Sequence, residues 1–310
     1  MGKESITNIA IVGMGAMGQK HYHAIQPFEG INIAAVVDPL GFKESSCPVY
    51  STVEELLGKE KIDCAIICTP TILHLKTAIP FIRKGVHILI EKPIVCNMNQ
   101  AQELEKISSE SKSKIAVGYV ERFNPAIQCL MKNIEEEIIL KCSIIRVGPQ
   151  PIRFKDVGVR LDLAVHDVDL IKFIMGATVE KSYYSDISVM NKREKSNIIL
   201  EDNTTIFMKM NNGASATINS SWTYPFRERT LKILTDKFYY DVDMLNLSVD
   251  RYQSLDNNRY IKESLLVKKE DALKNQFKSF LGYAIMNRIG DIATLSDGIE
   301  SLRIVSEEIK

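Results

Sequence analysis

The stretch Asn8-Ile-Ala-Ile-Val-Gly13-Met-Gly15-Ala-Met-Gly18 places three glycines directly after a short apolar run. A continuous apolar run of this length predicts a strand that is buried on both faces of a parallel sheet. The pattern of Gln19–Gln26 predicts a helix, and a second apolar strand, Ile33–Val37, ends at Asp38. This order of strand, glycine turn, helix and acid-terminated strand is the dinucleotide-binding fingerprint. We therefore predict that this part of the chain binds a dinucleotide.

Each part of the fingerprint has a physical role in cofactor binding. Gly13 permits a tight turn, Gly15 lets a pyrophosphate approach the helix N-terminus, and Gly18 lets the helix pack closely on the strand. Asp38 would accept hydrogen bonds from the adenosine ribose, whereas a 2′-phosphate there would meet a like charge. No arginine follows nearby, so the pattern predicts NAD rather than NADP. A glycine turn that binds nothing is the alternative.

The alternation of strands and helices continues beyond this stretch. It comprises predicted strands at Ile62–Cys68, Val86–Glu91 and Lys114–Gly118, and predicted helices at Ile72–Lys84 and Asn99–Ser111. Regular alternation predicts a Rossmann-type, doubly wound parallel sheet, which we assign to residues 1–121. Ligands of such sheets bind beyond the carboxyl ends of the strands. Thr69-Pro70, Glu91-Lys92-Pro93 and 119–124 occupy those positions; the sequence leaves the isomer of the Lys92–Pro93 bond open.

The pattern changes in the second half of the chain. Strands follow one another with turn-forming residues between them, at Glu137–Val147, Val179–Met190, Ile198–Met210, Ala214–Trp222, Arg229–Leu234, Phe238–Met244, Leu247–Tyr252 and Ser264–Lys268. Consecutive strands without intervening helices predict a large, mainly antiparallel, open sheet in an α+β domain over 122–310. Two closing helices are predicted at 276–288 and 296–310, and the second is a candidate to pack on the first domain. Because helices would cover one face, the other is available for self-association, and we expect a homodimer or homotetramer.

Asp162-Leu-Ala-Val-His166-Asp-Val-Asp169-Leu-Ile-Lys-Phe-Ile-Met-Gly176 has apolar residues at helical spacing and ends at a glycine. On an α-helix, Asp162, His166 and Asp169 form a polar stripe, and a carboxylate four residues before an imidazole can contact it. A surface ion pair and a general base oriented by a carboxylate are both compatible with this pattern. Asp167 falls in the apolar arc, so we predict a structural salt bridge, with Arg122 the first candidate.

The composition excludes several classes of protein. The 39 basic and 39 acidic residues give no net charge, which argues against nucleic acid or an anionic membrane surface as a partner. No apolar run is long enough to span a bilayer. The six scattered cysteines predict reduced thiols and a cytoplasmic protein. His21, His23, His74 and His87 have no metal-ligand spacing, so we predict structural roles for them and no metal site.

The motifs together resemble the glucose-fructose oxidoreductase/inositol dehydrogenase (Gfo/Idh/MocA) family over nearly the whole chain. The residues that carry the likeness are Gly13–Gly18, Cys68-Thr-Pro-Thr-Ile-Leu-His74, Glu91-Lys-Pro93 and Asp162–Asp169. Two further stretches look like the UDP-N-acetylglucosamine 3-dehydrogenase branch: Gly118–Ala126, and Gly148–Arg153 followed by Asp156-Val-Gly-Val. Tyr119 and Cys96-Asn97 depart from the family pattern.

The resemblance implies NAD-dependent oxidation of a sugar secondary alcohol to a ketone, with a nucleotide sugar or a simple sugar as the substrate. Hydride transfer needs a base for the alcohol proton, and the resemblance implies Lys92 and His166 at the hydroxyl and Asp162 as their partner. It implies cofactor contacts at Gly13, Gly15, Ala16, Met17, Gly18, Asp38, Thr69, Pro70, His74, Glu91 and Lys92. Candidate substrate contacts are Lys92, Tyr119, Arg122, Asn124, Arg153, Arg160, Asp162 and His166. A polyol dehydrogenase and a catalytically silent NAD-binding regulator remain alternatives.

Overall fold

The protein is described by a computed structural model that covers residues 6–150, 157–189, 200–256 and 259–306. It forms two compact units, Met1–Val120 with Leu273–Ile299, and Glu121–Ala272 with Glu300–Lys310. The predicted second domain, 122–310, differs from this division, because Leu273–Ile299 clusters with the first unit. The reason is a two-residue strand in this segment that pairs with the first sheet. Among the described residues, no helix is both long and apolar enough to cross a membrane.

A seven-stranded sheet forms the centre of the first unit. Its strands are β1 (Thr7–Val12), β2 (Ile31–Val37), β3 (Val49–Tyr50), β4 (Cys64–Ile67), β5 (His87–Ile90), β6 (Ile115–Val117) and β15 (Ala293–Thr294). The spatial order is β15-β6-β5-β4-β1-β2-β3, with every pair parallel except β15 with β6. The chain order reverses between β1 and β4, which is the switch point where such sheets bind ligands.

Five helices of this unit accompany the sheet along the chain. They are α1 (Ala16–Ile25), α2 (Val53–Lys59), α3 (His74–Arg83), α4 (Met98–Ser109) and α7 (Ala272–Met286), with a 3-10 turn at Thr71–Leu73 before α3. A further helix, α8 (Leu295–Ser306), begins in the first unit and ends in the second. The central strands are apolar on both faces because helices cover both, and every residue of β4 is fully buried. The predicted Rossmann sheet is confirmed.

The second unit contains an eight-stranded sheet. Its strands are β7 (Ile139–Pro149), β8 (Val179–Ile187), β9 (Asn203–Met210), β10 (Ser215–Ser221), β11 (Thr223–Thr235), β12 (Tyr239–Asp243), β13 (Ser248–Ser254) and β14 (Tyr260–Leu265). The order is β14-β13-β12-β11-β7-β10-β9-β8, and all neighbours are antiparallel except β7 and β10. The predicted, mainly antiparallel sheet is therefore confirmed, although β14 begins four residues before its predicted start.

Helices cover one face of the second sheet. The chain enters through a 3-10 turn at Val120–Phe123 and α5 (Pro125–Asn133), which packs on β12 and β13. The helix α6 (Val165–Met175) packs on β7 and β10 and ends at Gly176, whose φ of +55° lies in the left-handed region. On the opposite face of the sheet, side chains such as those of Phe207 and Leu234 are exposed.

The helix predicted to run from Asp162 to Met175 is continuous but not uniformly α-helical. Arg160–Ala164 forms a π-helical turn, in which the N–H of Val165 donates to the carbonyl of Arg160, five residues earlier. A π turn changes the angular spacing of side chains, so the α-helical spacing assumed for Asp162 and His166 does not hold there. Asp162 and Asp169 of the predicted polar stripe are both buried, which does not fit the alternative of a surface ion pair.

Candidate active site

The glycine loop lies at the switch point of the first sheet. Gly13 has φ +88°, and a Cβ on it would lie 2.8 Å from the backbone N of Thr69, so the loops after β1 and β4 touch. A Cβ on Gly18 would lie inside contact distance of the Gly13 carbonyl, whereas one on Gly15 would meet nothing within 4 Å. Gly15 thus borders open space at the start of α1, where no side chain caps the helix.

These features fit a bound dinucleotide. The uncapped N–H groups of α1 and the open space at Gly15 suit a pyrophosphate. Asp38 follows β2, and its carboxylate accepts hydrogen bonds from the N–H of Met14 at 2.7 Å and of Leu40 at 2.9 Å. The carboxylate is therefore held beside the glycine loop, where it can still accept bonds from ribose hydroxyls through its remaining lone pairs.

We expect Gly15→Ala and Gly18→Ala to fail in different ways. Because a Cβ on Gly15 meets no protein atom but points into the space suited to the pyrophosphate, G15A should keep its melting temperature and lose at least about tenfold in NAD affinity. G18A should lower the melting temperature, since its Cβ would overlap the Gly13 carbonyl. Calorimetry with NAD and thermal unfolding check both variants, and unchanged NAD affinity in G15A would contradict the assignment.

His74, the first residue of α3, joins two loops at the carboxyl edge of the sheet. Its Nε2 lies 2.9 Å from the carbonyl of Thr69, and its Nδ1 lies 3.0 Å from the carbonyl of Pro93. Burial lowers the pKa of His74, while the carbonyls favour the charged ring. The ring fixes the loop after β4 against the loop after β5. His74, predicted as a cofactor contact, thus supports both loops.

In the loop after β5, Lys92 is half-buried and Glu91 is buried. The Lys92–Pro93 bond is cis. Glu91, predicted as a cofactor contact, is buried, and its Oε1 lies 2.8 Å from Nε2 of His21 on α1. A Cβ on Gly118 would lie 2.9 Å from this carboxylate, which explains why a glycine follows β6. Lys92 itself is half-buried at the strand end.

His21, Glu91 and Cys68 form a cluster that their spacing in the sequence does not predict. Their potential ligand atoms lie within 4.8 Å of one another, the one such group among the described residues. Burial, aided by Glu91, raises the pKa of the Cys68 thiol well above its ordinary value, so the sulfur remains protonated. Within the cluster, the hydrogen bond between His21 and Glu91 ties the loop after β5 to α1.

In the second unit, the start of α6 positions the predicted base. Asp162 lies in the π-helical turn and is buried, whereas His166 is half-buried one turn later. π-helical turns occur frequently at functional sites, because they change which way neighbouring side chains point. Lys92 belongs to the first unit and these two residues to the second.

Asp167 anchors this helix in a buried ion network. Its Oδ1 lies 2.7 Å from Arg146 on β7, and Arg146 also contacts Glu121 at 3.0 Å. Arg229 on β11 binds the same Glu121 oxygen at 3.0 Å. Burial raises the pKa of Asp167 despite Arg146, whereas Arg146 and Arg229 outweigh burial and hold the pKa of Glu121 below its ordinary value. The predicted salt bridge of Asp167 exists, but Arg146 is its partner.

Arg122 instead pairs with Asp169. Its Nε and Nη2 donate to the two carboxylate oxygens at 2.8 and 2.6 Å, and its guanidinium lies over the ring of Phe173. This two-pronged geometry is the strong form of the arginine–carboxylate contact. The pair is almost fully buried, so it supports a structural role for Arg122 rather than the predicted substrate contact.

Two other predicted substrate residues also have internal partners. Asn124 caps α5 by accepting from the N–H of Ala126, and its amide donates to Glu121 and to the carbonyl of Met244. Arg160 contacts Asp186 at 3.2 Å, stacks over Tyr184 and donates to the carbonyl of Val305. Both side chains are committed to the fold of the second unit.

The last two candidates differ in what the structure describes. Tyr119 follows β6 and is 1% exposed. Arg153 lies outside the described residues.

Sequence comparison now identifies the family. The model of the oxidoreductase family with an NAD-binding Rossmann fold matches residues 7–119, and the Gfo/Idh/MocA C-terminal domain model matches 143–240. The chain belongs to the Gfo/Idh/MocA family of oxidoreductases. The first match spans β1 to β6, including the glycine loop and Lys92, and the second spans β7 to β12, including Asp162 and His166.

Individual relatives are more distant. The chain is 27% identical to UDP-N-acetylglucosamine 3-dehydrogenase from Acidithiobacillus ferrooxidans, over 97% of this chain and 94% of the relative. It is 26% identical to inositol 2-dehydrogenase from Rhizobium meliloti over 54% of each chain. The solved structure of the Acidithiobacillus ferrooxidans enzyme superposes with a TM-score of 0.83 at 25% identity, covering 97% of this chain and 95% of that one. This likeness therefore extends through both units.

Proposed function

We propose that this oxidoreductase uses NAD to oxidise the 3-hydroxyl of UDP-N-acetylglucosamine or a similar nucleotide sugar. The observation that carries the proposal is the match to UDP-N-acetylglucosamine 3-dehydrogenase over nearly the full length of both proteins. The substrate-binding half is included in that match, whereas the inositol 2-dehydrogenase match covers about half of each chain.

The proposed chemistry assigns one task to each of three side chains. Oxidation of a secondary alcohol removes a proton from the oxygen and a hydride from the carbon. Bound NAD would supply the hydride acceptor. His166 takes the alcohol proton, and the ammonium of Lys92 stabilises the negative charge that develops on the oxygen. Asp162 is the electrostatic partner of these groups. Lys92 as the proton acceptor is the alternative assignment.

A free polyol such as myo-inositol is the second candidate substrate. The inositol 2-dehydrogenase relative favours it, since its identity of 26% is close to that of the nucleotide-sugar enzyme. A catalytically silent regulator is the third, and the presence of Lys92, Asp162 and His166 together argues against it.

A substrate screen tests the proposal. NADH formation is followed at 340 nm with the purified protein, NAD, and in turn UDP-N-acetylglucosamine, other UDP-sugars, myo-inositol and free hexoses. Turnover with UDP-N-acetylglucosamine at the highest kcat/KM is the expected result. NADH formed from inositol but from none of the UDP-sugars would replace the first candidate by the second, and the absence of turnover with any sugar would favour the regulator.

We also propose that the protein self-associates through the open face of the second sheet. This face presents large side chains across neighbouring strands, including Tyr183, Phe207 and Leu234, all more than two-fifths exposed. Exposed aromatic surface of this kind is typical of protein interfaces. Light scattering should give a mass of at least twice 35.0 kDa. Phe207→Glu should reduce it to one chain, whereas Leu266→Glu, at a loop position 95% exposed, should not.

The proposed location is the cytoplasm. All six cysteines are free, and Cys64 and Cys142 are buried. Burial raises the pKa of the Cys64 thiol to about 12, which keeps it unreactive. Reduced thiols suit a reducing compartment, and the proposed cofactor is available there.

A further inference from the structure

The second unit places two arginines of β11 on its helix-covered face. Leu231, Ile233 and Thr235 are buried against that face, and side chains of a strand alternate between faces. Arg229 continues this odd-numbered row and contacts Glu121, which also binds Arg146 on β7. The pairing of β11 with β7 is irregular between Thr223 and Glu228, so the side on which Arg227 lies follows from its approach to Gly148.

Gly148 makes room for Arg227. A Cβ on Gly148 would lie 3.3 Å from Cγ of Arg227 and 4.0 Å from its Cα, so the arginine stem crosses β7 where that strand has no side chain. Gly148 is two residues beyond Arg146, which faces the same side. Arg227 thus extends the row of guanidinium groups toward the carboxyl end of β7.

The charges in this row do not balance. Arg146 and Arg229 are matched by Glu121 and Asp167, with contacts of 2.7 to 3.0 Å. Arg227 adds a third guanidinium, and it is exposed and in contact with no carboxylate of the described residues. Among the described residues, three guanidinium groups therefore lie against two carboxylates, and Arg227 has no carboxylate partner.

The excess charge is felt within the row. Burial and the charge of Arg146 lower the pKa of Arg229, and the charge of Arg227 acts in the same direction. An anion beside Arg227 would relieve this repulsion. The row is also tied to the predicted base, because Asp167, which binds Arg146, directly follows His166 on α6. Gly148, Arg146 and Asp167 thus connect the position of Arg227 to that of His166 within the second unit.

We propose that Arg227 binds an oxyanion of the substrate, either a phosphate of a nucleotide sugar or the carboxylate of a sugar acid. The inference rests on the proposed function and deepens it, because it names a residue that would distinguish anionic sugars from neutral polyols. Arginine suits this role, since its planar fork can donate two hydrogen bonds to one phosphate or carboxylate.

The variants Arg227→Ala and Arg227→Lys test the proposal, with Lys237→Ala as the matched control. Lys237 is an exposed cation beyond the far end of the same strand, roughly 30 Å along a strand from Arg227. Each protein is titrated calorimetrically with UDP and with glucuronate in the presence of NAD. Turnover is measured with UDP-N-acetylglucosamine and with N-acetylglucosamine, which has no anionic group.

We expect Arg227→Ala to weaken the binding of the anion by about 10- to 100-fold, which is the effect of removing a charge-assisted hydrogen bond. KM for UDP-N-acetylglucosamine should rise by the same factor while kcat changes little, and Arg227→Lys should lie between. The loss should diminish at high salt. Lys237→Ala should match the wild type. Weakened UDP binding alone identifies a phosphate, and weakened glucuronate binding alone identifies a carboxylate.

Equal affinities of wild type and Arg227→Ala for both UDP and glucuronate would overturn the inference, as would a wild type that binds neither. The proposed function is judged separately, from wild-type turnover in the substrate screen. A wild type that oxidises no nucleotide sugar but binds glucuronate through Arg227 would refute the proposed substrate and keep the anion subsite.

Discussion

Replacing Lys92 with Met should abolish sugar oxidation while leaving NAD affinity near normal. Lys92 is half-buried at the carboxyl end of β5, on a loop that His74 and the Glu91–His21 pair hold in place. Methionine keeps the length of the stem and removes the charge, so the loop should be preserved. Loss of the cation that stabilises the developing alkoxide should lower kcat by about 100- to 10,000-fold. Stopped-flow measurement of NADH formation gives kcat, and calorimetry gives NAD affinity.

Lys114→Met is the matched control for this variant. Lys114 is also half-buried, but it lies just before β6, at the opposite edge of the sheet, where its ammonium binds the carbonyl of Tyr283. Its loss should affect stability and leave kcat unchanged. His166→Ala should reduce kcat as strongly as Lys92→Met and should remove the limb of the pH–rate profile between pH 5 and 8, where imidazoles titrate. Turnover retained in both active-site variants would refute the scheme.

Much of the first unit could be predicted from its sequence because its signals are local. The glycine loop, its flanking strands and Asp38 all lie within about thirty residues, and each glycine has a steric reason that a sequence pattern expresses. The strands β3 and β15 were not predicted. Each has two residues, too few to show a period, and each forms only because a neighbouring strand edge is available.

The partners of the buried acids could not be predicted, because they depend on strand register. The sequence places Asp167 in the apolar arc and so predicts a cation for it. Which arginine supplies that cation depends on the pairing of β7 with β10 and β11, which brings Arg146 beneath α6. Arg122, the candidate predicted from the sequence, follows β6 and pairs with Asp169 instead.

The π-helical turn was missed for a related reason. A period of 3.6 residues is assumed when apolar positions are projected onto a helix. One extra residue in a turn changes the direction of every side chain before that turn relative to the side chains after it. Asp162 lies before that point and His166 after it. The identity of the pair could therefore be proposed from sequence, while its geometry required the structure.

Replacing Arg146 with Met should destabilise the protein more than any other single change to an ion pair of the second unit. Arg146 is 3% exposed and contacts both Asp167 and Glu121, which are also buried. Its removal leaves two carboxylates in a site of low polarity, one of them without a partner for either oxygen. Breaking a buried pair in this way costs about 3 to 5 kcal/mol, so the melting temperature should fall by roughly 6 to 20 °C. Differential scanning calorimetry measures the change.

Two further variants separate charge burial from lost packing. Lys268→Ala breaks an exposed pair with Glu270 and should leave the melting temperature close to that of the wild type, because exposed ion pairs contribute little to stability. Adding Asp167→Asn to Arg146→Met removes one of the orphaned charges, so the double variant should be more stable than Arg146→Met alone. If the double variant were instead less stable by the full effect of a second core substitution, lost packing rather than the uncompensated carboxylate would explain the result. Asp167 directly follows His166 on α6. A variant that displaces α6 should therefore also displace His166 and lower kcat.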